Sequence, residues 1–246
     1  SQVLYTTEQT YGDTPGAWSR YYVNQLKNLN AIITAYATPT AEMALQGSPE
    51  NMIGVSKIMR AIIMKRITDT YGDVPFTEAN MVDAGIYLPK YDKQEALYDA
   101  IFADLKSGRD MINTATTKPT GDILYYGNLG RWQKLANSVL LQASLQLSKK
   151  YPSVGQKAAN EFNAALANPA GVIENIADEA WFTINPSQSY PNPVSAFRAA
   201  DYRISRELVE SMKGSANTFN KTSNHTPDRR LTIYATNGTM AAVGLP

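Results

Sequence analysis

The side chains best suited to chemistry are acids. Asp69, Asp73, Glu78 and Asp83 gather around Tyr71-Gly72-Asp73-Val74-Pro75. Two carboxylates on facing elements are what a glycoside hydrolase uses, one to protonate the leaving oxygen and the other as nucleophile or base. A structural role competes with that reading. Asp69 and Asp73 flank a helix terminus, where carboxylates bond free backbone amides, and this is the expected role. The lone histidine, His225, lies in Ser223-Asn224-His225-Thr226-Pro227-Asp228, a polar loop that suits a solvated side chain better than a catalytic base. With no cysteine and one histidine, thiol nucleophiles, disulfides and Cys/His zinc centres are excluded. Neither a nucleophile elbow nor a phosphate-binding Walker loop occurs. No catalytic residue, metal site or cofactor is therefore expected.

Aromatic side chains are the other resource. Fifteen Tyr and three Trp stand against six Phe, so most rings carry a polar handle. Such rings suit half-exposed positions, which a recognition surface and the wet grooves between helices both provide.

The elements that must hold these groups are helical. A long stretch from Asn51 has an apolar face of Met52, Val55, Met59, Ile62, Ile63 and Ile67, with Lys57, Arg60, Lys65 and Arg66 around the rest. Gly72 and then Pro75 end it. Before it, Trp18, Tyr22, Leu26, Leu29, Ile33 and Tyr36 predict a helix over about 17–37 that Pro39 stops. The short link over 38–50 implies an antiparallel hairpin. Asp92 and Glu95 form a capping-box-like pair before a helix reaching about Asn113, with Leu97, Ile101 and Leu105 on its stripe. Gly121 to Asn128 reads as a turn with a short strand-like piece. Asn128 then caps a helix carrying Trp132, Leu135, Ala136, Val139, Leu140, Ala143 and Leu147, in which Trp132 is expected to be core. A shorter helix over about 154–167 and a last one over about 205–213, capped by Ser205 and stopped by Gly214, complete the set. Residues 1–16 read as an entry loop, 171–193 as a long irregular loop and 217–246 as a polar stretch with no stripe.

The fold class is mostly α: stacked, irregular TPR-like helical hairpins with long decorating loops, forming one helical domain over 1–246. A 43% hydrophobic content is enough for a sizeable core. The net charge of +1, with acids and bases interleaved, offers no basic stripe for nucleic acid. No apolar run is long enough to span a membrane, and no signal peptide is expected at Ser1.

Four stretches, in order, resemble the SusD/RagB family of nutrient-binding outer-membrane lipoproteins, in particular its SusD-like branch. They are Trp18-Ser19-Arg20-Tyr21-Tyr22, the turn from Thr68 to Ala79, Pro89-Lys90-Tyr91-Asp92-Lys93-Gln94-Glu95, and Gly127-Asn128 through Ser138. The similarity runs from about Trp18 to Leu231, ending in Asp228-Arg229-Arg230-Leu231 where the family has Asp-Pro-Arg-Leu. Gln142 and Gln146 stand where basic residues are common on the family's third long helix. Family members are longer and carry a lipidated N-terminal cysteine. The resemblance thus implies a central portion, with the anchor and much of the C-terminal half absent.

The resemblance implies a non-catalytic protein at the cell surface, in the outer membrane, that captures an oligosaccharide or other small nutrient. It would deliver that ligand to a SusC-like TonB-dependent transporter, touching the membrane only through a lipid anchor. Reversible capture calls for a Kd between micromolar and millimolar, about 4 to 8 kcal/mol. On this reading Trp181 and Tyr190, on the long loop, are the leading ligand contacts, and Asp13 and Asn192 are polar partners. Trp18 either anchors the first hairpin or, beside Tyr11-Gly12-Asp13, offers its ring to a sugar, so Tyr11 and Trp18 join the candidates. A helical-repeat scaffold binding a peptide or protein is the alternative, and a glycoside hydrolase is the third.

Overall fold

The computed structural model describes residues 18–182, 206–214 and 227–234. They fall into two compact units, 1–182 and 183–246. Among the described residues the regular elements are helical, apart from an isolated antiparallel bridge between Val74 and Asp92. None of the described helices is long and apolar enough to cross a membrane.

The first unit is a succession of antiparallel helices. A π-helical segment, Arg20–Leu26, leads into α1, Lys27–Ala35. The expected link is not bare loop: α2, Ala41–Gln46, sits within it, capped by the Thr40 hydroxyl on the Met43 amide at 3.2 Å. The central helix α3 runs Pro49–Tyr71, two residues earlier than the stripe predicted, because Pro49 occupies the first turn, where its missing N–H is harmless. Gly72 ends it at φ 77°, a conformation that glycine adopts without strain.

The buried side of α3 differs from the expected one. Gly54, Ile58, Ala61, Met64, Ile67 and Thr68 are buried, whereas Met52, Val55, Met59, Ile62 and Ile63 are half-buried. The reason is position. The helix lies between α1 and α4, Gln94–Met111, and packs most extensively on α4, so no single stripe describes it. Next come α5, Leu129–Gln146, and α6, Lys157–Leu166, each packed on its predecessor. One contiguous core results, with Phe102, Leu105, Trp132 and Leu140 at its centre. Full burial of a leucine or phenylalanine stabilises by about 1.5–3 kcal/mol.

The capping-box expectation at Asp92 and Glu95 is overturned. Lys93 is the residue before α4 and makes no side-chain cap. Asp73 takes the role from the end of α3, accepting from the Gln94 amide at 2.9 Å. Asp92 faces the other way, with one carboxylate oxygen on the Phe76 and Thr77 amides, each at 2.8 Å. Glu95 accepts instead from the Tyr151 hydroxyl at 2.6 Å. The bridge at Val74 holds the two chain segments so close that each can cap the other's free amides.

In the second unit, α7 spans Arg206–Lys213 and ends at Gly214, φ 76°, as expected; Ser205 lies outside the described residues. A short helix α8, Leu231–Tyr234, was not predicted. Four residues are too few to show a stripe, yet Leu231 is fully buried against Val209 and Met212.

Candidate ligand-binding site

The turn over 121–128 contains no strand and is built on one carboxylate. Asp122 accepts from the backbone amides of Leu124, Tyr125 and Gly127 and from the Trp132 indole at 2.8 Å. Burial alone would push this acid up. The indole and the three amides outweigh it and hold the carboxyl below its usual range. Asn128 closes the turn by accepting from the Arg131 amide, the predicted cap of α5.

Trp132 is buried, as expected of a core residue, and meets Tyr125 edge-on with centroids 5.3 Å apart. Burial raises the Tyr125 phenol to about 12, and its hydroxyl donates to the Asp178 carbonyl at 3.0 Å. Lys134 of α5 pairs with the Asp178 carboxylate at 2.8 Å. The segment leading to Trp181 is therefore fastened to the 121–128 turn through its backbone and to α5 through a side chain.

With the turn fixed from within, Ile123 and Tyr126 point outward, 61% and 74% exposed. Tyr126 sits at φ 52°, a left-handed conformation unusual for an aromatic residue. Ile123 and Leu124 form one wall of a cleft of about 410 Å³, with Leu29 and Ile32 of α1, Met52, Val55 and Met59 of α3, and Phe182. Met52, Val55 and Met59 on the half-buried face of α3 thus form the floor of this cleft, whereas Ile62 and Ile63 on that helix pack against the core. Ser56, Thr120 and Asp122 are its few polar residues.

Of the six candidate ligand residues, the structure describes two. Trp181 is 61% exposed, and its indole donates to Glu179 Oε2 at 2.8 Å, one residue before the cleft-lining Phe182. Trp18 is half-buried, 4.7 Å from the Tyr22 ring and edge-on to Tyr71 at 5.3 Å. Tyr22 in turn donates to the Pro75 carbonyl at 2.8 Å. Trp18 therefore anchors the first helix to the end of α3 and does not pair with Trp181. Tyr11, Asp13, Tyr190 and Asn192 lie outside the described residues, as does His225. Sequence reasoning did not single out Phe182, Ile123 and Leu124 as lining residues, although Ile123-Leu124 held between Gly121 and Gly127 was a usable signal.

Three of the four acids of the central turn, Asp69, Asp73 and Glu78, are engaged structurally, with partners from distant segments as well as local ones. Asp69 accepts from Lys65 at 2.9 Å and from the Tyr98 hydroxyl at 2.6 Å. Asp73 bonds Lys93 at 2.7 Å and the Gln94 amide, which together hold it below the usual carboxylate range. Glu78 is lowered likewise, by the Lys90 amide and then its ammonium. Asp83 lies in a single 3₁₀ turn, Val82–Ala84. Among the described residues no group of His, Cys, Asp and Glu could hold a metal ion.

A family profile described as "Starch-binding associating with outer membrane" matches residues 1–240. Similar solved structures include a chitin-binding protein, 30% identical with a TM-score of 0.66, over 80% of this chain and 40% of that one. A chitin-binding SusD homolog from Flavobacterium johnsoniae is 25% identical with a TM-score of 0.64, over 80% of this chain and 39% of that one. A SusD homolog from Bacteroides vulgatus, 23% identical with a TM-score of 0.66, shares the fold over 89% of this chain and 40% of its own length. The chain thus spans about 40% of the length of these structures. No curated protein matches at a significant level. A profile matched along nearly the whole sequence, on a stack of irregular helical hairpins, places the chain in the SusD-like family, whose members are binding proteins of the outer membrane.

Proposed function

We propose that the protein captures a glycan at the cell surface without cleaving it and hands it to a SusC-like TonB-dependent transporter, held to the outer membrane by a lipid anchor. One observation carries the binding reading. Trp181 holds an exposed indole in place through Glu179, directly beside the Phe182 wall of the cleft. A tethered, exposed ring loses little freedom when it stacks on a sugar face. Tyr190, Tyr11, Asp13 and Asn192 complete the contact set, and Trp18 serves it indirectly as an anchor. Asp73 and Glu78, both held below the usual carboxylate range, are unsuited to the role of a glycosidase's general acid, which must be raised instead, and this favours capture over hydrolysis. Starch in the family's description and chitin in two neighbours' names point to a glycan ligand.

The apolar lining of the cleft itself favours a second reading, a groove for an apolar peptide segment.

Both are tested by titrating the chain with starch and chitin oligosaccharides and with peptides, following tryptophan fluorescence and checking ligand length by mass spectrometry. Saturable binding of intact oligosaccharide, weakened about 3- to 10-fold by Trp181→Ala, is expected from the loss of one stacked ring. Shortened sugar would overturn the non-catalytic reading. A response to peptide alone would favour the groove.

A further inference from the structure

A second pocket opens elsewhere on the first unit, where the first turn of α4, the end of α5 and the start of α6 meet. Its volume, about 240 Å³, is smaller than the ~300–1,000 Å³ of pockets that enclose drug-sized ligands. One small ring fits within it.

Its floor is a fixed polar network. The Tyr98 hydroxyl and the Gln146 amide both bond Asp69, at 2.6 and 3.3 Å, tying α4 and α5 to α3 beneath the pocket. Gln94 is held in the same way, its amide nitrogen donating to the Thr68 carbonyl at 2.8 Å, which leaves its side-chain oxygen as an acceptor. Beside these groups stand the buried Tyr98 and the half-buried Tyr151, whose ring lies under the Lys150 ammonium, 5.8 Å from its centroid. A lining of pre-positioned amides and phenols beside the apolar Leu147 suits a pyranose, which has apolar faces and a polar edge.

The charge balance selects the kind of ring. Lys149, Lys150 and Lys157 line the pocket with a single carboxylate, Glu95. Lys150 is paired with Glu95 at 2.9 Å. Lys157 is paired with Asp99 just outside the lining. Lys149 is exposed and has no carboxylate partner among the described residues, so the pocket carries one cation in surplus.

We propose that this pocket binds one acidic sugar residue of the uronate type, its carboxylate on Lys149 and its hydroxyls on Gln94, Gln146 and Tyr151. The site is separate from Trp181 and goes beyond the capture surface proposed above.

The test is an NMR titration of the full 246-residue chain with sodium glucuronate, glucose and sodium acetate at matched ionic strength, reading the amides of Lys149, Lys150 and Tyr151. Glucuronate is expected to shift these amides saturably, with glucose and acetate at least about fivefold weaker. Lys149→Gln should weaken glucuronate about 10-fold, since it removes a charge-assisted hydrogen bond at an exposed position, while Lys149→Arg should retain it. Amides unmoved by glucuronate, or Lys149→Gln equal to the parent, would overturn the site. Glucose as strong as glucuronate would overturn the role of charge, and acetate as strong would overturn the sugar. Trp181→Ala should leave this titration unchanged, so failure here and failure of glycan capture at the cleft are read separately.

Discussion

Where α3 and α4 cross, backbone meets backbone. A Cβ added at Gly54 would lie 2.7 Å from the Gly108 carbonyl oxygen, and one added at Gly108 would lie 2.7 Å from the Gly54 carbonyl oxygen. No side chain can swing aside, because the obstructing atom belongs to a helix. Reaching ordinary contact at 3.4 Å requires the two helices to separate by about 0.7 Å. That displacement loosens the packing around Ile58 of α3 and Leu105 of α4, both fully buried. Overpacking of this kind destabilises by about 1–3 kcal/mol, and alanine's better helix propensity returns about 1 kcal/mol. Gly54→Ala and Gly108→Ala should each lose up to about 2 kcal/mol net by this reckoning. The double variant should lose less than their sum, since the first separation makes room for the second methyl. Gly130→Ala is the control: its nearest neighbour is an Asn128 side-chain oxygen at 3.7 Å, so it should be neutral or gain up to about 1 kcal/mol. Urea unfolding measures all four, as shifts in midpoint at unchanged slope. A Gly54→Ala protein about 1 kcal/mol more stable than its parent, the gain that helix propensity alone gives, would refute the close-crossing argument.

Two further outcomes are expected. Asp122→Asn should lose about 2–3 kcal/mol, because the Trp132 indole and three amides share one carboxylate and an amide oxygen serves them less well. Asp122 is lowered in the fold relative to ~3.9 unfolded, so its contribution is complete above that value and lost as pH falls through the folded pKa. The parent's unfolding midpoint should therefore drop more steeply below about pH 4 than that of Asp122→Asn, which thermal unfolding across pH 2–7 checks. Asn51→Ala should cost about 2–3 kcal/mol, because the fully buried Asn51 accepts from the Asn113 amide at 2.8 Å and donates to the Asn113 carbonyl at 2.9 Å. Faster hydrogen exchange at the Asn113 amide would accompany that loss, and a Tm within a degree of the parent's would count against it.

The six described helices of eight residues or more, and their order, were legible because stripes and stops repeat locally, whereas the short α2 and α8 were not. Gly72, Asn128 and Gly214 act through their own backbone or the next turn, and each was read correctly. What escaped depends on distant neighbours. The buried side of α3 is decided by having helices on two sides, and the Gly54–Gly108 crossing by atoms 54 positions apart in the chain. Asp92 and Asp73 exchange caps across a bridge that no local pattern announces. The site was legible in part for the same reason. Trp181 stands out as an aromatic residue on an irregular loop, whereas the cleft is assembled from α1, α3 and the Asp122 turn, whose lining residues read in sequence as ordinary core.

That exchange of caps also bears on how the family can vary. The bridge at Val74 and Asp92, with Lys90 on Glu78, closes the chain between them into a loop with its own stem. Once a stem is shut, doubling the loop it carries adds only about 0.6 kcal/mol of closure entropy. Tyr87 and Leu88, 74% and 93% exposed, stand on that loop. Insertions there change what the surface displays without being felt by α3 or α4, so this segment is free to diversify while the helices beneath it stay fixed.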